Sequence, residues 1–206
     1  MNEFRISTFN VRGLTKESKK RSLIEDMQKH QIDICCIQET KTTEFTDYLL
    51  NGYRVILSEN TNKYYGNGFI ISPRLRDNVV KTWTISDRIS VLQVNIPTKK
   101  DNYWCERTDD NKLYIRKESN YQIVKTTDQT MVLKKIKKEK TFTVINVCAP
   151  QSGRLKESIQ ELDTMYNSLN GLLEEIKDKD TTFFICGDFM LCSGKTVLFR
   201  QLLLCE

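Results

Sequence analysis

The tightest constraint on this chain is the stretch from Ile32 to Gln38, IDICCIQ, which is apolar almost without a break. A strand covered on one face alternates apolar and polar residues, whereas a nearly continuous run requires cover on both faces. Thr182 to Cys186, TFFIC, is a second run of this kind, and Phe142 to Cys148 a third. Further short strands rich in branched and aromatic residues are predicted at Phe4 to Val11, Tyr53 to Leu57, Gly68 to Ser72, Val79 to Ile85 and Ile89 to Ile96. Gly66, Asn67, Gly68 and Pro73 punctuate them. Helical spacing appears twice. Leu23, Ile24 and Met27 mark a helix over Lys16 to His30. Leu155, Ile159, Leu162, Met165, Tyr166, Leu169, Leu172, Leu173 and Ile176 form a longer apolar stripe. Strands in excess with helices between some of them predict a layered α/β domain, its sheets central and its helices outside.

The 206 residues suffice for one well-buried domain, or two only if both are small. With 39% hydrophobic and 29% charged residues, wholesale disorder is excluded. No stretch reaches the roughly 20 apolar residues of a membrane helix. The start, MNEFRISTFNVRG, has no basic leader followed by an apolar run, so the product is expected inside the cell, in the nucleus. Seven cysteines are an odd count without a CxxC pair. Cys35, Cys36, Cys148 and Cys186 fall in apolar runs, where a thiol packs as a small hydrophobe. No histidine stands near Cys186 and Cys192, which argues against zinc. Nothing in the sequence fixes an oligomeric state.

The formal charge of +5 is concentrated in one place. Lys99 to Lys140 holds twelve Lys/Arg against seven Asp/Glu, while the remainder holds twenty of each sign. The excess culminates in Lys134, Lys135, Lys137, Lys138 and Lys140. Such a run is either a solvated loop or a contact for nucleic-acid phosphates. Over about 98–140 the apolar period fades, with Tyr103, Trp104, Tyr114 and Tyr121 scattered among polar residues. This stretch reads as a surface insertion, with a hairpin at Lys112 to Arg116 and Tyr121 to Lys125.

Three polar residues stand at the carboxyl ends of apolar strands: Asn10, Glu39 and Asp188. Strand ends form a rigid rim from which loops are free to work. A carboxylate next to such a run is costly unless it faces solvent, a metal or a partner. Two carboxylates and an amide suit Mg²⁺, which takes oxygen ligands and stays partly hydrated until phosphate arrives. Singly, each is equally consistent with a chain leaving its core.

In order along the chain, STFNVRGL, CCIQETK, NGFIIS, INVCAPQSG and FFICGDF resemble the endonuclease/exonuclease/phosphatase superfamily. Their wording is most similar to the apurinic-type endonucleases of RTE/LINE-like non-LTR retrotransposons and to craniofacial-development-protein-like relatives. The resemblance implies a DNase I-like fold, a four-layered αββα sandwich, incomplete at its C-terminal end. It spans Arg5 to Asp188, interrupted by the insertion, and implies a domain over 1–190 with 191–206 as a divergent apolar tail. It implies DNA as partner and Mg²⁺ or Mn²⁺ as cofactor, with neither a small-molecule cofactor nor a membrane. By the same resemblance Glu39 is a metal ligand. Asn10 positions the active-site phosphate and neighbouring polar groups. Asp188 orients or deprotonates the attacking water, and the reaction is hydrolysis of a DNA phosphodiester to leave a nick.

The family pattern departs at three places. Met190 stands where GDFN has asparagine, and a thioether cannot replace an amide that both donates and accepts. Cys148 stands where YAP has tyrosine, which removes a phenolic hydroxyl. The family's terminal aspartate–histidine segment has no counterpart, because the single histidine, His30, belongs to the first helix and is expected to face solvent. A missing general acid or base costs 10²–10⁴ in rate, so this chain is expected to be inactive or nearly so. Ser193-Gly194-Lys195-Thr196 is not a phosphate-binding loop, since the first glycine of that motif is replaced by Phe189. Val197, Leu198, Leu202, Leu203 and Leu204 suggest a helix with an uncovered apolar face. Two other readings stay open: a catalytically dead nucleic-acid-binding remnant, and another phosphoesterase of the same superfamily.

Overall fold

The computed structural model describes residues 4–95, 141–150, 155–177 and 182–188, together with the backbone of four short strands between 105 and 135. Its contacts divide the chain into two compact units, one comprising residues up to Asn95 and from Thr141 on, the other Ile96–Lys140.

In the first unit, β1 (Ile6–Asn10), α1 (Glu17–Lys29), β2 (Ile34–Gln38), β3 (Thr46–Leu50), β4 (Tyr53–Leu57) and β5 (Asn67–Ile71) come first. A 3₁₀ turn at Arg76–Asn78 leads into the antiparallel pair β6 (Val79–Ser86) and β7 (Ile89–Asn95). The second unit holds β8 (Cys105–Arg107), β9 (Leu113–Ile115), β10 (Tyr121–Thr126) and β11 (Met131–Lys135). The chain then returns to the first unit with β12 (Thr141–Cys148), α2 (Leu155–Lys177) and β13 (Thr182–Asp188).

One sheet has the order β1-β2-β5-β4-β3 and the other β13-β12-β7-β6. Each contains one parallel pair, β1 with β2 and β12 with β13, linked through a helix. A parallel pair requires such a crossover, and the helix it uses comes to lie on one face of its sheet. Accordingly α1 packs Ile24 and Met27 against Cys35, Ile37, Val55, Leu57 and Ile70. Likewise α2 packs Met165, Leu169, Leu172 and Ile176 against Ile89, Val91, Ile145 and Val147. Each such side chain, fully buried, contributes about 1.5–3 kcal/mol. The opposite faces of the sheets meet, β1 and β2 against β12 and β13, and Phe142 of β12 lies 6.0 Å from Phe4, just ahead of β1. Helix, sheet, sheet and helix are thus stacked in four layers, and every residue of β2 is buried, as its unbroken apolar run requires.

Cys35, Cys36, Cys148 and Cys186 are free and buried. His30 caps the end of α1, exposed, its Nδ1 2.9 Å from the carbonyl of Asp26. Asp33 also borders an apolar run, but it is fully explained by packing. It accepts from the Arg5 backbone N–H (3.0 Å), Ser72 Oγ (3.2 Å) and Arg74 Nη2 (2.7 Å).

Three expectations are corrected. β3 is a strand that the alternation rule passed over. Its Tyr48 and Leu50 pack on the core while Leu49 is 60% exposed, the pattern of a sheet edge with Asp47 paired to Arg54. The strands at Leu113–Ile115 and Tyr121–Thr126 exist, but they do not pair with each other. β9 pairs with β8 and β10 with β11, both antiparallel. Finally, Ile159 and Tyr166, read as part of the α2 stripe, are 54% and 44% exposed, so the buried stripe is narrower than its sequence suggested.

Candidate active site

β1 and β2 run parallel with Asn10 opposite Gln38, so their carboxyl ends coincide and Glu39 emerges beside Asn10. In the second sheet β12 and β13 are also parallel, with Cys148 opposite Asp188. β1 lies against β13 across the sandwich, which brings the two rims together.

There the Asn10 side-chain amide donates to Glu39 Oε1 at 2.7 Å and to Asp188 Oδ2 at 2.8 Å. Two carboxylates facing one amide fix its orientation, since an oxygen between them would repel both. The amide oxygen in turn accepts from the backbone N–H of Arg12 at 3.1 Å. Asn10 is therefore a bridge that holds two carboxylates side by side. Asp188 Oδ1 is buried without a hydrogen-bond partner.

The loops beyond these strands are strained and laced together. Arg12, Glu39 and Lys41 adopt left-handed backbone conformations with φ of 48°, 54° and 58°. For a residue with a side chain this costs of order 1–3 kcal/mol and persists only where the surroundings over-determine it. Here they do. Gly13 N donates to Glu39 O at 2.6 Å, Leu14 N to Thr40 O at 2.8 Å, Thr40 N to Gly66 O at 3.0 Å and Lys41 N to Tyr65 O at 2.9 Å. At Gly66 (φ +111°) a Cβ would stand 2.3 Å from Thr40 Oγ1, so glycine is required beneath the loop that carries Glu39. At Gly187 a Cβ would stand 1.9 Å from the carbonyl oxygen of Val147, so glycine is required beside Asp188.

An open cleft of about 520 Å³ borders the Asn10–Asp188 side of the cluster, lined by Thr8, Phe9, Asn10, Arg12, Lys19 and Asp188 among others but not by Glu39. Lys19 Nζ donates to the Val11 carbonyl at its edge. Cys148 faces the cluster from β12. Its thiol is pushed up to about 11, chiefly by burial; the Arg88 guanidinium draws it down, while Glu39 and Asp188 push it up.

Arg88 is a component the sequence did not announce, because it sits in the turn between β6 and β7 and reads as an ordinary surface cation. Its guanidinium lies 4.1 Å over the ring of Tyr65, donates to the Cys148 carbonyl at 3.3 Å and pairs with Glu161 at 2.7 Å. Gln38 and Asn146 were likewise hidden inside apolar runs. Of the other positions named from sequence, Met190, Lys137 and Lys138 lie outside the described residues. Lys134 and Lys135 fall in β11, which is described by its backbone alone.

Among the described residues no group of three or more His, Cys, Asp and Glu is arranged to hold a metal. The donor set that is present, two neighbouring carboxylates with one buried oxygen unpaired, fits a hard divalent cation that completes its shell with water and phosphate. No helix among the described residues is long and apolar enough to cross a membrane.

The fold is shared with solved enzymes. The catalytic domain of Xenopus laevis APE2 superposes with a TM-score of 0.55 at 17% identity, covering 89% of this chain and 57% of its own. An AP endonuclease from Archaeoglobus fulgidus gives 0.52 at 18% identity, covering 90% and 57%. The 3′ phosphatase NExo from Neisseria, solved bound to a product DNA hairpin, gives 0.54 at 13% identity, covering 91% and 58%. The chain thus spans a little over half the length of these structures. No curated protein matches it. The model of the Endonuclease/Exonuclease/phosphatase family matches residues 7–189, from the first strand through the Gly187-Asp188 rim, and the chain belongs to that family.

Proposed function

We propose that this chain carries a centre for divalent-metal-dependent hydrolysis of DNA phosphodiesters, of the apurinic-type endonuclease kind found in RTE/LINE-like non-LTR retrotransposons, and that its partner is DNA in the nucleus. The observation that supports this most directly is the Asn10 amide bridging Glu39 and Asp188. Glu39 would hold Mg²⁺ or Mn²⁺, and Asp188 would orient the attacking water and accept its proton. Asn10 keeps both carboxylates in register. A bound cation would polarise the phosphate and stabilise charge on the leaving oxygen. Arg12 and Lys19, on the cleft wall, supply positive charge for flanking phosphates.

Activity of this chain alone is expected to be weak. Its single histidine is the exposed His30, so the cluster contains no imidazole to donate a proton to the phosphoryl oxygens or the leaving group. Loss of a general acid of that kind costs 10²–10⁴ in rate. A second reading, a DNA-binding remnant without catalysis, is supported by the same absence.

Supercoiled-plasmid nicking with Mg²⁺ or Mn²⁺, alongside Mn²⁺ binding by electron paramagnetic resonance, tests the proposal. Binding that Glu39→Gln weakens, with slow nicking that Asp188→Asn abolishes, supports the enzyme. Binding of cation and DNA without nicking supports the remnant. Nicking unaffected by either substitution removes this site from consideration.

A further inference from the structure

The two carboxylates belong to different sheets, so something must fix the gap between those sheets beside them. Apolar side chains fill such a layer and resist displacement through close packing, which carries no directional preference. Hydrogen bonds add one, because they are directional and short.

Immediately behind the cluster the layer is polar. Gln38 Nε2 donates to Asn146 Oδ1 at 2.6 Å, and Asn146 Nδ2 donates to the carbonyls of Ile37 and Gly68, both at 2.9 Å. Gln38 Nε2 also lies 2.9 Å from Thr8 Oγ1 on β1. Asn146 is 0% exposed and Gln38 1%. One side chain of β12 is thereby tied to both β2 and β5. The position of this tie matters. Gln38 is the residue before Glu39 and the register partner of Asn10. Asn146 is the register partner of Cys186, two residues before Asp188. At about 3.3 Å per strand residue, the tie sits within one or two residues of every group in the cluster.

Stability alone does not account for this layer. A buried hydrogen-bonded pair can usually be replaced by apolar groups of the same shape with little loss. Around this one, further polar atoms remain buried and unpaired: Gln38 Oε1, both amide atoms of Asn67, the register partner of Gln38, and Oγ of Ser90, the register partner of Asn146. A layer selected only to hold the sheets together would not carry these.

We propose that Gln38 and Asn146 are positioning residues: their inter-sheet tie sets the separation of Glu39 from Asp188, and with it the bridge through Asn10. This rests on the reading of that cluster as the hydrolytic centre. The test is the double variant Gln38→Leu/Asn146→Leu in the whole chain, with Asn146→Asp beside it, which keeps the acceptor for Gln38 and loses both donated bonds. The readout independent of cation and activity is hydrogen exchange of the Asn10 side-chain amide, followed by NMR. It is expected to quicken at least tenfold in the double variant while the backbone amides of β7 and β12 stay protected, and Mn²⁺ affinity is expected to fall about tenfold. An Asn10 amide that stays as slow as in the parent overturns the proposal. So does fast exchange accompanied by equal loss of protection in β7 and β12, because the tie would then be merely structural. If the double variant fails to fold, Asn146→Asp decides by the same criteria. A parent chain that binds no Mn²⁺ disposes of the hydrolytic reading, while the amide exchange still judges the tie.

Discussion

The amide of Asn10 reaches Asp188 across 2.8 Å from the other sheet of the sandwich, and the same nitrogen serves Glu39 at 2.7 Å. Two carboxylates that would repel each other are held by one shared donor. That arrangement fixes what substitutions at position 10 will do.

Asn10→Asp places a third carboxylate between the two and removes their donor. It is expected to lower stability by about 2–3 kcal/mol at neutral pH, against about 1–2 kcal/mol for Asn10→Ala. Millimolar Mg²⁺ is expected to restore much of the loss in Asn10→Asp and little in Asn10→Ala. Urea unfolding with and without Mg²⁺ measures both. Equal losses that Mg²⁺ leaves unchanged would contradict the shared-donor account.

Gly187 and Gly171 make opposite forecasts. A methyl group at 187 collides with the Val147 carbonyl, and Gly187→Ala is expected to cost about 3 kcal/mol or prevent folding. At 171, on the exposed side of α2, an added Cβ meets nothing within 4 Å. Gly171→Ala is expected to gain about 0.5–1 kcal/mol by restricting the unfolded chain and favouring the helix. Thermal melts of the two variants give the comparison.

Buried thiols impose an alkaline limit. Burial raises both Cys35 and Cys148 from 9.0 to about 11. The folded chain therefore keeps two protons that the unfolded chain releases above pH 9. Their contribution to stability is whole below pH 9 and is lost as pH rises through about 11. At pH 10 the loss is about 1 kcal/mol per thiol. Urea midpoints at pH 7.5 and 10 should drop for the native chain, and drop less for Cys35→Val/Cys148→Ala. An identical drop in both would refute the assignment.

Arg88 tunes the thiol beside it. Arg88→Met deletes the stacking on Tyr65, the bond to the Cys148 carbonyl and the pair with Glu161, at an expected cost of about 1–3 kcal/mol. It also removes the charge that draws the Cys148 thiol down, so that group is expected to titrate above its present value of about 11. Carbon-13 NMR of labelled cysteine, read against pH, shows the direction. A downward move would mean that Arg88 does not act on Cys148 as its geometry implies.

Much of the framework was legible because burial on both faces leaves a plain mark: β2 and β12 appear as nearly unbroken apolar runs, and α1 as a spaced stripe. β13 is as apolar but lies at a sheet edge, where Phe183, Phe184 and Ile185 are only half-buried, so its run overstated its cover. Edge strand β3 was not, since half its residues face water and Asp47 interrupts it. Asn10, Glu39 and Asp188 were visible as polar residues stopping apolar runs, a signal any one of which equally marks a chain leaving its core. Their meeting depends on which strands run parallel, and no local pattern carries that. Gln38, Asn146 and Arg88 were invisible for a related reason. An amide inside an apolar run, or a cation in a turn, acquires a partner only through pairing between distant segments.

The first sheet is built wholly from one contiguous stretch, Ile6 to Ile71, whereas the second takes its last strand from Thr182–Asp188. During synthesis every strand of the earlier layer is therefore made while the ribosome is still far upstream of Asp188. A nascent chain at that stage holds Asn10 and Glu39 but lacks the strands that cover the inner face of β1 and β2. Competence at the rim is thus deferred until translation has delivered β13.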